Sequence, residues 1–523
     1  GPRQFGVDVA AVGKDENGIK TFFIFTIKQG DIGRSDWDGT EQSVRTSLNE
    51  IKDVYISTHI EKKNKDLPKK IVLCTGGEKK QEIAQNWSQF VNSNQVDGEL
   101  TFDFWGGDTL SLLIEKHLFN EAIIPTELQT SLRKILALVG DPDYDLSDYQ
   151  EILNGLFSEA DFGDVKKASA QKKIIRAFRT INLCQNIIYK WASDEGNLNP
   201  AIYCSEKTVL QGWDFIRKHQ LQENHKIGVV FFEIYQTLYK IYVDYFIKVQ
   251  DHCHIRDGFC GYGEHHVQEN LNVFKHLGLL GTTGLMCLFQ ALGSKNFGKY
   301  SESIKNISET LKAFMKNHKV TALPVYDEHI IEISEVILFL GAIGEKDFVQ
   351  KWITDMINHL VIAYNNMGKY FPIHSDSFDD LVELNISGTV EKEKLFEMST
   401  LIPILAHWCI TLGLNETYDE IRKIVSEFFP KCTLQIWYPD AETDEKLYIR
   451  NASLTGTMEA PIELHEDVEE MKKRINKVQK NTIKFEDISA IKNGFIIFPI
   501  LASRHYRTPF FPIYWQNSLL TEQ

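Results

Sequence analysis

Phe5-Gly6-Val7-Asp8-Val9-Ala10-Ala11-Val12 and, past a polar turn at Asn17-Gly18, Phe22-Phe23-Ile24-Phe25-Thr26-Ile27-Lys28-Gln29-Gly30-Asp31 form the stretch on which the fold turns. Val7, Val9 and Val12 with Phe23, Phe25 and Ile27 are the β-branched and aromatic types that suit a pleated surface, and Asn-Gly supplies the positive φ of a tight turn. The spacing predicts a β-hairpin. Thr26 and Lys28 are two apart and share a face of the second strand; Asp8 on the first joins them if the register allows. Such a pair matches what phosphodiester hydrolysis needs, a carboxylate to hold a divalent metal and a cation to orient water beside the phosphate. The plainer alternative makes Asp8 a turn residue and Lys28 a solubilising charge on an edge strand.

Working outward, 523 residues exceed one ordinary core, so two or three domains are expected. A net charge of −15 excludes a chain that coats nucleic acid indiscriminately and confines any DNA contact to a local patch. The eight cysteines sit in apolar surroundings with no CxxC pair, which predicts a reducing, cytoplasmic setting. The longest uncharged apolar run, Leu277 to Gly293, is broken by glycines and short for a bilayer. It reads as a buried helix, with no membrane association.

After the hairpin, Val44, Leu48, Ile51, Val54 and Tyr55 recur at helical spacing between Glu41 and Ile60. Ile71 to Thr75 is a short apolar strand closed by Gly76-Gly77, and a helix follows with Ile83, Trp87, Phe90 and Val91 on one face. Leu100 to Trp105 is a further strand, ended by Gly106-Gly107-Asp108 before a helix carrying Leu110, Leu113 and Ile114. The order is β-β-α-β-α-β-α.

Over roughly Arg3 to Asn120 the chain resembles the Mrr-like branch of the restriction-endonuclease-like, PD-(D/E)XK, superfamily. Gly6-Val7-Asp8, Thr26-Ile27-Lys28 and Phe102 to Leu110 stand where that family has Gly-x-Asp, Glu/Gln-x-Lys and a late strand ending in an Asp-Gly turn. The resemblance implies a DNA-cleaving core dependent on Mg²⁺ or Mn²⁺, with Asp8 as metal ligand, Lys28 as catalytic cation and Thr26 at the third catalytic position. Thr26 departs from the family's acid or amide, and a hydroxyl is a poorer ligand for a hard cation. Glu41 or Gln42 is the candidate to approach the metal in its stead. Gln29 and Arg34, just past the second strand, are candidate nucleic-acid contacts.

The expected organisation is an α/β restriction-endonuclease-like domain over 1-124, a linker over 125-150, a large α-helical domain over 151-430 and a small α+β cap over 431-523. The acidic turn with Asp141, Asp143, Asp145 and Asp148 lacks the glycine and glutamate spacing of a calcium loop and reads as solvated. His252, Cys253, His254, Cys260, His265 and His266 gather zinc-ligand types without a standard zinc spacing, which predicts a polar loop between helices. Asp376, Asp379 and Asp380 read as the start of a helix. In the cap, Thr433 to Tyr438 and Gly494 to Ile500 read as strands and Glu466 to Lys480 as a helix. Arg504 and Arg507, among aromatics, are candidates to grip a phosphate or base, against a plainer reading as exposed arginines.

No P-loop or kinase signature occurs, so any ATPase would be a partner encoded elsewhere. Together these readings predict a metal-dependent DNA endonuclease, an effector of bacterial antiviral defence whose helical region meets a protein partner or trigger, assembled as a homo-oligomer because a double-strand break needs two cores. The alternative is a catalytically degenerate nuclease fold that binds nucleic acid or serves as an assembly scaffold.

Overall fold

The computed structural model describes residues 5–40, 43–113, 125–141, 144–158, 162–261, 266–294, 298–365, 371–386, 396–440, 442–449, 456–479 and 483–508. Glu41, Gln42, Asp143 and His265 lie outside them. Two compact units emerge, Gly1–Gln129 and Thr130–Gln523.

In the first unit the hairpin forms as its composition dictates: β1 (Val9–Lys14) pairs antiparallel with β2 (Lys20–Lys28), from Val9 opposite Phe25 to Lys14 opposite Lys20. Gly18 takes φ +78°, and the Asp15 carboxylate accepts the Asn17 and Ile19 amides at 2.9 and 2.8 Å, which locks the turn. β3 (Lys69–Thr75) lies parallel to β2 and β4 (Leu100–Trp105) parallel to β3, giving the order β1-β2-β3-β4. Phe22, Ile24, Ile71 and Leu73 pack against Trp37, Val44, Leu48, Ile51, Ile83, Trp87 and Phe90 of the crossover helices. Burying a side chain such as Ile24 contributes about 1.5–3 kcal/mol. The helix expected between Glu41 and Ile60 is two helical pieces, Val44–Glu50 and Ile56–Thr58, joined by a π-helical turn at Ile51–Tyr55. A single π-helical turn is a local bulge within an amphipathic segment, and helical spacing alone does not locate it.

The second unit is mainly helical. In the 125-150 segment the helices Thr126–Leu138 and Ser147–Leu156 flank the acidic turn. At the centre, the helices His266–Gly293 and Ile330–Ala342 pack face to face. Glycine makes this approach possible: a Cβ on Gly278 would lie 2.6 Å from Glu332 Cγ, on Gly281 3.2 Å from Val336 Cγ2, and on Gly284 2.6 Å from the Phe339 ring. Glycines three apart lie along one helix face, so they form a groove for the partner helix. His266–Gly293 is the one helix among the described residues long and apolar enough to cross a bilayer, and 72% of its most apolar window is buried inside the protein. All eight cysteines are free.

The 431–523 segment belongs to this unit and contributes little sheet. Thr433–Leu434 pairs with Met398–Ser399, and Ile436–Tyr438 with Thr457–Glu459. The run Gly494 to Ile500, expected as a strand, instead enters the helix Phe498–Tyr506. Pro499 stands in its first turn, where no amide donor is required, and Phe498, Ile500 and Leu501 are fully buried. An apolar run buried all round carries no period that separates strand from helix. The helix expected from Glu466 to Lys480 spans Val468–Gln479, and Asp379 and Asp380 occupy the first turn of Phe378–Ile386 as expected.

Asp327 shows how distant segments are tied together. Its buried carboxylate accepts the Ser399 hydroxyl at 2.7 Å and the amides of Thr400 and Leu401 at 2.5 and 3.1 Å, capping the helix Leu401–Leu412 from more than seventy residues away. Asp327→Asn keeps the shape but replaces one acceptor oxygen with a donor facing donors. A loss of about 1–2 kcal/mol in urea unfolding is expected. An unchanged midpoint would show that the cap contributes nothing.

Candidate active site

Asp8 sits at the bend leading into β1, its amide on the Phe25 carbonyl at 2.9 Å. Continuing the register past Val9 and Phe25 sets Asp8 opposite Thr26, and cross-strand partners share a face. The Asp8 carboxylate accepts the Ile27 amide through Oδ2 at 2.6 Å, while Oδ1 has no hydrogen-bond partner among the described residues. On the same strand Lys28 reaches Ser47 Oγ at 3.0 Å, and Ser47 in turn donates to the Ser43 carbonyl at 3.1 Å. Thr26 is buried, Lys28 half-buried and Asp8 exposed.

Gly6 explains the closeness of these parts. It adopts φ +75°, and a Cβ there would lie 2.5 Å from the Ser47 carbonyl oxygen, so only glycine lets the chain pass the helix start before turning into β1. The Gly-x-Asp triplet, the Thr-x-Lys triplet and the Ser43–Ser47 helix start therefore meet at one place. Gln29 and Arg34 lie exposed beyond the end of β2.

The other acids at this edge of the sheet hold backbone. Asp31 Oδ1 accepts the Glu78 amide at 3.0 Å, Glu82 Oε1 the Arg34 amide at 2.9 Å, and Glu78 Oε1 the Asp108 amide at 3.2 Å. Gly77 packs so closely on Gly30 and Asp31 that a Cβ would lie 2.5 Å from their backbone. Gly76-Gly77 and Gly106-Gly107 end their strands as expected, and Glu78 joins the two turns, a contact no local spacing signals. Ser47 carries no motif either; its one signal in the sequence is a serine four residues after Ser43.

Among the described residues no three His, Cys, Asp or Glu side chains gather as a metal cage. Mg²⁺ keeps several waters and is held by one or two carboxylates with substrate phosphates completing its shell, and a lone acid seldom holds it without that phosphate. Asp8 Oδ1 and oxygens of a bound phosphate are hard donors of that type. Among the described residues of the His/Cys segment no such group forms, and Cys253 is buried, its thiol on the Val249 carbonyl at 3.4 Å.

Arg504 and Arg507 lie in the other unit, engaged with acids and not exposed. Arg504 pairs with Glu206 and Tyr242; Arg507 pairs with Glu332 and reaches Glu328 at 3.2 Å. Burial pushes Arg504 down to about 9, with Arg507 adding repulsion. For Arg507 burial also acts downward, but the Glu332 and Glu328 carboxylates outweigh it and hold the guanidinium above its usual range.

Comparison with protein-family models, with curated proteins and with solved structures returned no match. The reading of the site rests on its own geometry.

Proposed function

We propose that the first unit is a nuclease-type domain that cleaves phosphodiester bonds of DNA with Mg²⁺ or Mn²⁺. What supports this reading is that Asp8, at the bend before β1, is tied through Oδ2 to the Ile27 amide with Oδ1 open, while the next residue on β2, Lys28, holds its ammonium at Ser47. Asp8 is the residue that would hold the metal, which when bound supplies Lewis-acid polarisation of the phosphate and an activated water. The Ile27 amide fixes the carboxylate, and Ser47 fixes the ammonium beside the scissile phosphate, where its charge opposes the negative charge of the transition state. Gln29 and Arg34, exposed beyond the end of β2, are the candidates to meet a backbone phosphate. A nuclease-type unit followed by a large helical one is the layout of defence effectors, an analogy at the level of architecture that makes the helical unit the receiver of a protein partner or trigger.

Supercoiled plasmid incubated with Mg²⁺ or Mn²⁺ tests this. The wild-type protein is expected to nick or linearise DNA, and Asp8→Ala and Lys28→Ala each to reduce the rate about 100-fold, roughly 2.7 kcal/mol of transition-state stabilisation. Calorimetry without DNA is expected to show no tight Mg²⁺ site, because substrate phosphate completes the shell. Cutting that survives both substitutions sinks the assignment.

The burial of Thr26, a hydroxyl where a second carboxylate would add charge, favours a second reading: the domain binds nucleic acid without cutting it. DNA retention that falls in Lys28→Ala, with no cleavage under any metal, selects that reading.

A further inference from the structure

The helical unit contains two adjoining cavities, of about 340 and 310 Å³, that share Tyr203, Glu206, Lys275 and Arg504 in their walls. Each lies within the size range of small-molecule sites. Glu206 is fully engaged, taking Arg504, the Tyr242 hydroxyl and His505 Nδ1 at 3.1 Å. In the second cavity Glu328 and Glu332 are held by Arg507. In the first, the Asp145 carboxylate accepts the Ser147 amide at 3.0 Å, and Asp141 has contacts of its own.

Lys275 is the exception. It lines both cavities, is open to water, and has no hydrogen-bond or ion-pair partner among the described residues. Beside it Arg504 Nε is buried with no acceptor, and Asn199 Oδ1 in the first cavity is buried with no donor. Lys275, with no partner among the described residues, and Arg504, whose buried Nε lacks an acceptor, line the same two cavities, a lining that suits an anion from outside the chain. A point charge together with a planar donor suits a tetrahedral oxyanion, while Leu279, Phe274 and Tyr203 offer apolar and aromatic surface to an organic body.

We propose that this chamber binds a small organic phosphate, its phosphoryl group between Lys275 and Arg504 and its body in the adjoining cavity against Tyr203. Partial burial of the Lys275 stem lowers its ammonium, and a bound dianion acts in the opposite direction.

The full chain is titrated with AMP, inorganic phosphate and adenosine at matched ionic strength, by calorimetry and by thermal unfolding. AMP and, more weakly, phosphate are expected to bind saturably and raise the melting temperature, with adenosine inert. Lys275→Met is expected to weaken AMP at least tenfold without lowering the melting temperature of the ligand-free protein, and Lys275→Arg to retain most of the affinity. Absence of saturable binding by both phosphates overturns the proposal, as does unchanged AMP affinity in Lys275→Met, which would place AMP elsewhere. The Lys28→Ala protein is expected to bind AMP as the wild type does, so failure here and failure of the nuclease reading are separately visible.

Discussion

Arg507→Met is expected to lower the stability of the Thr130–Gln523 unit by about 1–3 kcal/mol, less than the cost of about 3–5 kcal/mol for breaking a fully buried ion pair because the arginine side chain keeps 35% of its exposure. The reason lies in what remains. Glu332 has 7% of its side chain exposed and takes two guanidinium nitrogens of Arg507, with Glu328 at 3.2 Å from a third. Without the arginine, a carboxylate on the central helix Ile330–Ala342 stays in the interior with no cation, beside Glu335, whose own pKa burial already pushes far up. Methionine keeps much of the volume, so the loss reports charge more than cavity. Adding Glu332→Gln to Arg507→Met is expected to recover more than half of the loss, since the uncompensated charge is gone. Urea unfolding of the single and double variants checks both statements. A loss below about 1 kcal/mol in Arg507→Met would show the pair to be solvated and the interior argument wrong.

Much of the first unit was legible because its strands announce themselves. Alternating β-branched and aromatic residues, an Asn-Gly turn and glycine-closed apolar runs specify order and direction, and the hairpin register follows from the turn. What could not be read were contacts between parts distant in sequence: Gly6 against Ser47, and Glu78 against Gly106 and Asp108. Each depends on where a crossover helix is set down, which local periodicity does not encode. In the second unit the same limit had larger consequences. Gly494 to Ile500 is uniformly apolar because the helix it enters is surrounded, and uniform burial erases the period that tells helix from strand. Arg504 and Arg507 looked like a surface grip because arginine is seldom buried. Their acids, Glu206, Glu328 and Glu332, stand 175 residues or more away, beyond any spacing rule. The glycines of Leu277 to Gly293, which argued against a bilayer span, also mark where Ile330–Ala342 packs. That second meaning needed the partner helix.

Acid is expected to unfold the second unit partly through histidines held neutral in its interior. Burial lowers His407, His276 and His505 to about 3 each, with Arg474 adding to the effect at His407, Lys275 and His318 at His276, and Arg504 and Lys207 at His505. The folded values lie below the unfolded value near 6.5. Each group's contribution is therefore complete above pH 6.5 and is lost as pH falls toward 3, because the unfolded chain takes up a proton that the folded chain refuses. The slope is about 1.4 kcal/mol per pH unit per histidine, or on the order of 2 kcal/mol each at pH 5. Asp327, Glu328 and Glu335, which burial raises, act in the opposite sense, so the sign is best read from a difference between variants. His407 is the cleanest test: it is 1% exposed and its Nδ1 is buried with no partner among the described residues. Between pH 7.5 and 5.0, His407→Leu is expected to lose about 2 kcal/mol less stability than the wild type in urea unfolding. Equal losses in the two proteins would mean that His407 titrates normally, and that the helix Leu401–Leu412 opens to water where the structure shows it closed.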